Sequence, residues 1–406
     1  MGPTSRLSLV LLLVSLLLSS ACSGLPLGDA SLAISDKPRN MNPSVSPDDF
    51  ASLAAGNTQF AFDLYRAIKG QDGNLFFSPY SISTALAMTY AGAAGDTSAQ
   101  MADTLHFNLP ADRLHAAFNA YALDLDARAK AQTDATPFEL SIANSLWGQQ
   151  GFDFRPEFLD LLAENYAAGL RLVDYATDPE AARRAINDWV SDETRRRIQD
   201  LIPEGAIDAM TRLVLANAIY FKATWLHTFD PDATTTQPFY LLSGDAIDVP
   251  MMHQDEPYRF AVGDGYQAVE LPYQTGDMSM VILLPEAGQF AAFEDSLDPA
   301  RVEAILNNLT PGLVTLSLPK FTYESAFSLQ DALQSLGMTD AFDPDRADFS
   351  GMDGARDLYI GSVLHKAFVA VDEKGTEAAA ATAVIMEVTS APFGEPISIT
   401  IDRPFV

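Results

Sequence analysis

The chain has 406 residues, 48% of them hydrophobic, enough for a large core, and no linker-like break follows residue 46; one large domain is expected, although the length alone would fit two or three. Its 54 acidic residues against 25 basic ones give a formal charge of −29 and a pI near 4.3, a surface that repels nucleic acid and heparin-like polyanions. With a single cysteine, Cys22, an intramolecular disulfide is excluded and stability has to come from packing.

Arg6 precedes an apolar run, Leu7–Leu18. At about 12 residues the run is too short for a typical membrane span and suits the hydrophobic region of a signal peptide. Ser19, Ser20 and Ala21 then lead into Cys22. The segment is similar to a bacterial lipobox, in which the thiol takes up a diacylglyceryl group and the chain is cut before it; Ser19 stands where leucine is usual. The alternative is an ordinary secretory signal cut nearby. Residues 1–21 are therefore read as a signal peptide. Residues 22–45, rich in Ser, Pro, Gly and Asp, are read as a flexible tether after a lipidated Cys22. The expectation is an exported lipoprotein at the cell surface or in the periplasm, otherwise extracellular, touching a membrane only through its lipid.

The domain is predicted over 46–406. Ser46 can cap a helix, Pro47 suits its first turn, and Asp48 and Asp49 favour its N-terminus. Phe50, Leu53, Phe60, Leu64 and Ile68 follow at helical spacing up to Gly70. A second helix is predicted from Ser81 through Met88 toward Gly92, and another, marked by Ile186, Trp189, Val190 and Ile198, between Pro179 and Leu201. The clearest strand-like runs are Leu140–Trp147, Leu213–Lys222, Met278–Leu284, Val314–Phe321, Phe368–Asp372 and Ile397–Ile401. Helices dominate the first half and strands the second, which points to an α+β fold rather than a doubly wound parallel one.

Enzyme signatures fail one by one. The histidines, His106, His115, His227, His253 and His365, form no HExxH-like spacing, and neither a G-x-S-x-G elbow nor a Walker A loop occurs. Gly263–Ala268 loosely mimics a dinucleotide loop, but a strand-like run follows it and a turn is the better reading. Asp343, Asp345 and Asp348 are spaced somewhat like calcium ligands, with Ala347 where a ligand is needed. The chain is expected to be no enzyme and to use no cofactor or metal.

Residues 376–389 read as a cryptic strand. Thr376, Ala378, Ala380, Thr382, Val384, Met386 and Val388 share one face. Glu377, Ala379, Ala381, Ala383, Ile385, Glu387 and Thr389 share the other, which carries every charge. The first face could be buried in a sheet. The alanines also permit a helix, against which Gly375 and the β-branched residues beyond Thr382 weigh.

From about residue 47 to its last residue the chain resembles the serpins. The resemblance is carried by Asn74–Ser83 (NLFFSPYSIS), by Asn187–Val190 with Thr194, Ile198 and Leu201–Pro203, and by Leu213–Lys222 (LVLANAIYFK) followed by Trp225. Phe229–Pro231, Met251–Met252, Leu318–Phe321 and His365–Ala367 follow in family order. The most specific stretch is Val371–Ala381 (VDEKGTEAAAA), which looks like the hinge of inhibitory serpins, and Asp402–Phe405 resembles the C-terminal signature. Ala223 replaces a usual glycine. Serpins continue for roughly twenty residues beyond the equivalent of Val406, enough for two strands of ordinary length, so the end is read as truncated: either the sequence is a fragment of a longer protein or its folding is compromised.

The resemblance implies several helices packed on three β-sheets, with an exposed reactive-centre loop able to enter the central sheet. It implies a monomeric, irreversible suicide inhibitor of serine, and by extension cysteine, endopeptidases. A protease forms an ester with the loop; the cut loop inserts between Leu213–Lys222 and Phe368–Asp372. Fourteen residues at about 3.3 Å each would carry the protease roughly 45 Å and disrupt its oxyanion hole. By family spacing the scissile bond is Thr389–Ser390, with Val388 as the runner-up carbonyl. These small β-branched residues suit elastase-like or subtilisin-like targets. The hinge is Gly375, Thr376, Glu377, Ala378, Ala379, Ala380 and Ala381; the shutter beneath the sheet is Ser78, Ser81, Asn217 and His365; the breach at its top is Lys320, Glu373 and Trp225. A non-inhibitory serpin-fold binding or structural lipoprotein is the alternative.

Overall fold

The computed structural model describes residues 30–130, 139–274, 276–376 and 395–406. In chain order the elements are β1 (Ser31–Ala33), α1 (Pro47–Ile68), α2 (Pro79–Tyr90), α3 (Gly95–Thr104), α4 (Ala111–Lys130), β2 (Glu139–Gln149), α5 (Pro156–Tyr166), β3 (Leu170–Val173), α6 (Pro179–Glu193), β4 (Leu213–Thr224), β5 (Thr235–Tyr240), β6 (Ala246–Gly263), β7 (Tyr266–Pro272), β8 (Ser279–Pro285), α7 (Phe290–Asp295), α8 (Pro299–Asn307), β9 (Thr310–Pro319), β10 (Phe321–Ser328), α9 (Gln330–Ser335), α10 (Ser350–Asp353), β11 (Ile360–Asp372), β12 (Gly375–Thr376) and β13 (Ile397–Thr400).

The large sheet runs β1-β3-β2-β4-β12-β11-β10. β4 is its spine, buried over its first eight residues. Its odd positions Leu213 and Leu215 join the helical core with Ile82, Leu86 and Phe60. Its even positions Val214, Ala216 and Ala218 pack with Ile186, Trp189 and Val190 of α6 on the opposite face. Burial on both faces explains why this strand reads as an unbroken apolar run. Large side chains buried this fully each contribute about 2 kcal/mol. β4 and β11 are parallel neighbours from Leu213↔Ile360 to Tyr220↔Phe368.

Among the described residues the remaining strands link into one network, β13-β9-β6-β7-β8, with β5 on β6. The cause is β6, which pairs with β5 at one end, β9 in its middle and β7 at the other. The sequence pattern hides β6 because Pro250, Pro257 and the charges Asp248, Asp255 and Glu256 interrupt its alternation. At the chain's last residue, Val406 and Leu283 of β8 exchange backbone hydrogen bonds.

α1 is capped as expected: Ser46 Oγ accepts the Asp49 N–H at 3.1 Å. Three expectations need correction. The helix predicted between Pro179 and Leu201 stops at Glu193. Thr194 Oγ1 accepts the Ile198 N–H, and Arg195 and Arg196 turn to positive φ, so Ile198 is buried from a loop. The run Val314–Phe321 is two strands, β9 and β10, that break at Lys320 and belong to different sheets. Residues 30–45 are not a free tether. Ser31–Ala33 pair with Leu170–Leu172, Lys37 bridges Asp160 and Glu164 at 3.1 and 3.2 Å, and Arg39 Nε donates to Asn119 at 2.8 Å. A short edge strand needs only backbone groups and two long cations, which a composition rich in Ser, Pro and Asp does not reveal. Gly263–Ala268 forms the tight turn from β6 into β7, with Gly265 at φ +79°. Asp348 faces Arg356 at 3.2 Å and accepts the Ser350 N–H.

Candidate functional site at the seam of the large sheet

Two polar clusters sit along the line where β4 meets β11. The lower one is a row across four strands, Asn144 (β2), Asn217 (β4), His365 (β11) and Phe327 (β10), fixed by the registers Asn144↔Asn217, Asn217↔His365 and His365↔Phe327. The N-terminus of α2 lies beneath it. Ser78 caps that helix by accepting the Ser81 N–H at 3.2 Å, and its own N–H donates to His365 Nε2 at 3.2 Å. An accepting Nε2 leaves the ring proton on Nδ1, where it is directed at Asn217 Oδ1. Asn217 Nδ2 donates to Ser81 Oγ at 2.6 Å and also to Asn144 Oδ1. Asn144 Nδ2 completes the network on Ser81 O at 3.1 Å. His365 is fully buried, and burial pushes its pKa down to about 3. It is a neutral donor throughout the physiological range.

The structure thus unites Ser78, Ser81, Asn217 and His365 and adds Asn144, which the sequence reading missed. Its signal was there: Asn144 shares the inward face of its strand with Ile142 and Leu146, a polar residue on an apolar face.

The upper cluster turns β11 back into the sheet. Asp372 Oδ1 accepts the N–H groups of Lys374 and Gly375 at 2.9 and 3.2 Å. The turn places β12 between β4 and β11, antiparallel to both: Gly375↔Thr224 and Thr376↔Ala223 on one side, Thr376↔Val371 and Asp372↔Gly375 on the other. Glycine is required there, since a Cβ on residue 375 would lie 2.0 Å from Ala223 O. Trp225, 1% exposed, holds the turn through Nε1 on Asp372 O at 3.0 Å and its own N–H on Lys374 O at 2.9 Å. Lys320 Nζ meets Glu373 Oε2 at 2.8 Å, and Thr234 donates to the other carboxylate oxygen at 3.0 Å. Burial alone would raise the Glu373 carboxyl, but Lys320, a backbone hydrogen bond and Thr234 outweigh it and hold it below the usual range.

Thr376 is also buried, with 1% exposure. Its Oγ1 lies 2.8 Å from the Tyr273 hydroxyl, and the Tyr273 ring stacks on Trp225 at 4.7 Å and 8°. Tyr273 is a second residue the sequence reading missed; it sits just past β7 and no local pattern marks it. Glu377, Ala378, Ala379, Ala380, Ala381, Val388, Thr389, Ser390 and Cys22 lie outside the described residues.

Comparison with known proteins agrees with this arrangement. A family model described as serpin (serine protease inhibitor) matches residues 55–406. Human leukocyte elastase inhibitor is 39% identical over 365 residues, covering 87% of this chain and 94% of that protein. An uncharacterized serpin-like protein of Thermococcus kodakarensis is 40% identical over 349 residues, covering 86% of this chain and 79% of that one. Among solved structures, the thermophilic serpin tengpin in its native state superposes with a TM-score of 0.80 at 28% identity, covering 93% of this chain and 95% of that one. Uncleaved ovalbumin gives 0.77 at 27% identity, covering 87% and 94%. The chain belongs to the serpin family of protease inhibitors, in an α+β serpin fold.

Proposed function

We propose that this serpin is a single-use inhibitor that traps serine endopeptidases, with cysteine endopeptidases as a second class, in the acyl-enzyme state by inserting its reactive-centre loop. The observation that carries this reading is β12. The first two residues of the loop's proximal end are held antiparallel between two parallel strands. Extending β12 downward exchanges one parallel ladder for two antiparallel ones, which are slightly more stable per residue. The small side chains from Ala378 to Ala381 let that extension proceed without clashes. A protease esterified to Thr389 is carried along, and its deacylation stalls once the oxyanion hole is distorted.

Thr389 and Val388 are small and β-branched, and leukocyte elastase inhibitors recur among the relatives; both support an elastase-like target, with subtilisin-like enzymes as the bacterial counterpart. Cys22 after its apolar leader supports a lipid anchor. The test is incubation with an elastase-like protease followed by denaturing electrophoresis. A band at the summed mass of inhibitor and protease is expected; clean cleavage near Thr389 with full protease activity would overturn the proposal.

A further inference from the structure

We infer that Tyr273 is a positioning residue for inhibition: its hydroxyl, acting through Thr376, holds the first residues of the insertable strand inside the sheet before any protease arrives, so that insertion starts from a formed nucleus. The inference rests on the inhibitory reading above.

Starting a new strand is the slow part of extending a sheet, because several backbone dihedrals must be fixed before the first paired hydrogen bonds compensate. In this molecule that step is already complete. Thr376 is in register with Ala223 on one side and Val371 on the other. The Asp372–Gly375 turn orders the backbone that leads to it. Among the described residues the Thr376 hydroxyl is bonded to Tyr273, at 2.8 Å in a buried site.

Tyr273 is itself firmly placed. Its ring lies flat on Trp225 and edge-on to Phe221 at 5.4 Å, and its N–H donates to Met278 O at 2.9 Å. The next residue, Gln274, donates its N–H to Thr224 O at 2.9 Å. The phenol is therefore anchored to β4, the strand that does not carry the loop, and reaches over to grip the strand that does. Trapping is a race between insertion and deacylation. A hydroxyl pair that keeps the nucleus formed acts on the first of these rates alone.

The test compares wild type with Tyr273→Phe, which keeps the stacked ring and removes the hydroxyl, using a serine elastase as the probe. Two quantities are measured: the second-order rate of loop attack, and the moles of inhibitor consumed per mole of protease silenced. Losing the contact is expected to slow insertion about fivefold, so the consumption in excess of one rises about fivefold while the attack rate is unchanged. Thr376→Val removes the same bond from the other side and should give the same excess, with the double variant no worse than the worse single one. Unchanged excess in both single variants, at a wild-type thermal midpoint, would sink the inference. So would a faster attack with unchanged excess, which would make the contact a restraint on the loop. If wild type itself forms no covalent complex, the inhibitory reading fails, and this inference with it.

Discussion

His365 on β11 donates its Nδ1 proton to Asn217 on β4, and this side-chain bond spans the seam that a new strand would have to enter. The donor must stay neutral, because Ser78 N–H occupies Nε2. Above about pH 6.5 both the folded and the unfolded chain carry neutral imidazole there. Below it only the unfolded chain takes up the proton, so stability is lost progressively until the folded group titrates at about 3. The loss from this residue approaches 1.4 kcal/mol per pH unit. Unfolding free energies of wild type and His365→Gln should converge as pH falls from 7 to 4.5; taking the difference cancels His115, whose pKa burial also lowers, to about 4. A difference independent of pH would show that His365 is not held neutral.

The register of β12 says what replaces that bond. Continued from Thr376↔Ala223, the strand brings residue 382 opposite Asn217; continued from Thr376↔Val371, it brings the same residue opposite His365. Residue 382 is threonine, on the face that alternation assigns to the interior. A hydroxyl both donates and accepts, so it can serve Asn217 Oδ1 and His365 Nδ1–H at once after they part. Thr382→Val is expected to leave the native protein's thermal midpoint unchanged and to destabilise the cleaved, inserted form by about 1–3 kcal/mol for two orphaned buried groups, read as a lowered midpoint. Equal midpoints of the two cleaved proteins would refute the register.

Gly375→Ala should expel the hinge. The added Cβ would meet Ala223 O at 2.0 Å and Thr224 Cα at 2.8 Å, both backbone atoms that no rotamer change can move. Overpacking of this kind costs about 1–3 kcal/mol, which is comparable with what two residues of pairing can supply. The expected variant is folded, is attacked by elastase at the wild-type rate or faster, and is consumed several-fold more often as a substrate. Near-stoichiometric inhibition by Gly375→Ala would mean that the strand between β4 and β11 is dispensable.

Much of this site was legible through the resemblance to the serpins, which picked out Ser78, Ser81, Asn217 and His365, and Lys320, Glu373 and Trp225, by their place in matching stretches. The residues by themselves showed the strand-like alternation of 376–389 behind Gly375. Asn144 lies outside those matching stretches, although it is a polar residue on an apolar strand face. Tyr273 could not have been found that way: its role depends on a stack with Trp225 and a bond to Thr376, 103 residues along the chain, and no local pattern encodes either. The docking of residues 30–45 was hidden for a different reason. It is achieved by backbone pairing on β3 and by Lys37 and Arg39 reaching α5 and α4, and such contacts leave no periodicity.

Membrane attachment through Cys22 is open to direct test. A Cys22 carrying a diacylglyceryl group on its sulfur, with or without a third acyl chain on its freed amine, would anchor the protein stably. Cys22→Ser is expected to move it from the membrane to the soluble fraction and to change its processing. Equal membrane association of the variant would remove the lipid anchor and leave the inhibitory reading untouched.

Thr376→Arg separates attack from trapping. Thr376 is already buried, against Tyr273 and between two strands, so arginine there cannot keep its charge solvated without leaving the sheet; an unpaired buried charge costs several kcal/mol. The hinge would be forced out in the native protein, and re-entry after acylation would meet the same penalty. The proposed scissile bond at Thr389 is thirteen residues away in sequence, and its attack should proceed normally. Deacylation then wins, and the variant is cleaved at the wild-type bond while forming little covalent complex. Glu377→Arg serves as the control, since alternation assigns that position to the opposite, charged face; it should inhibit nearly as wild type. The two variants differ by one position in the chain and by which face of the strand they load. Equal consumption of both per mole of elastase silenced would show that the buried face has been assigned wrongly.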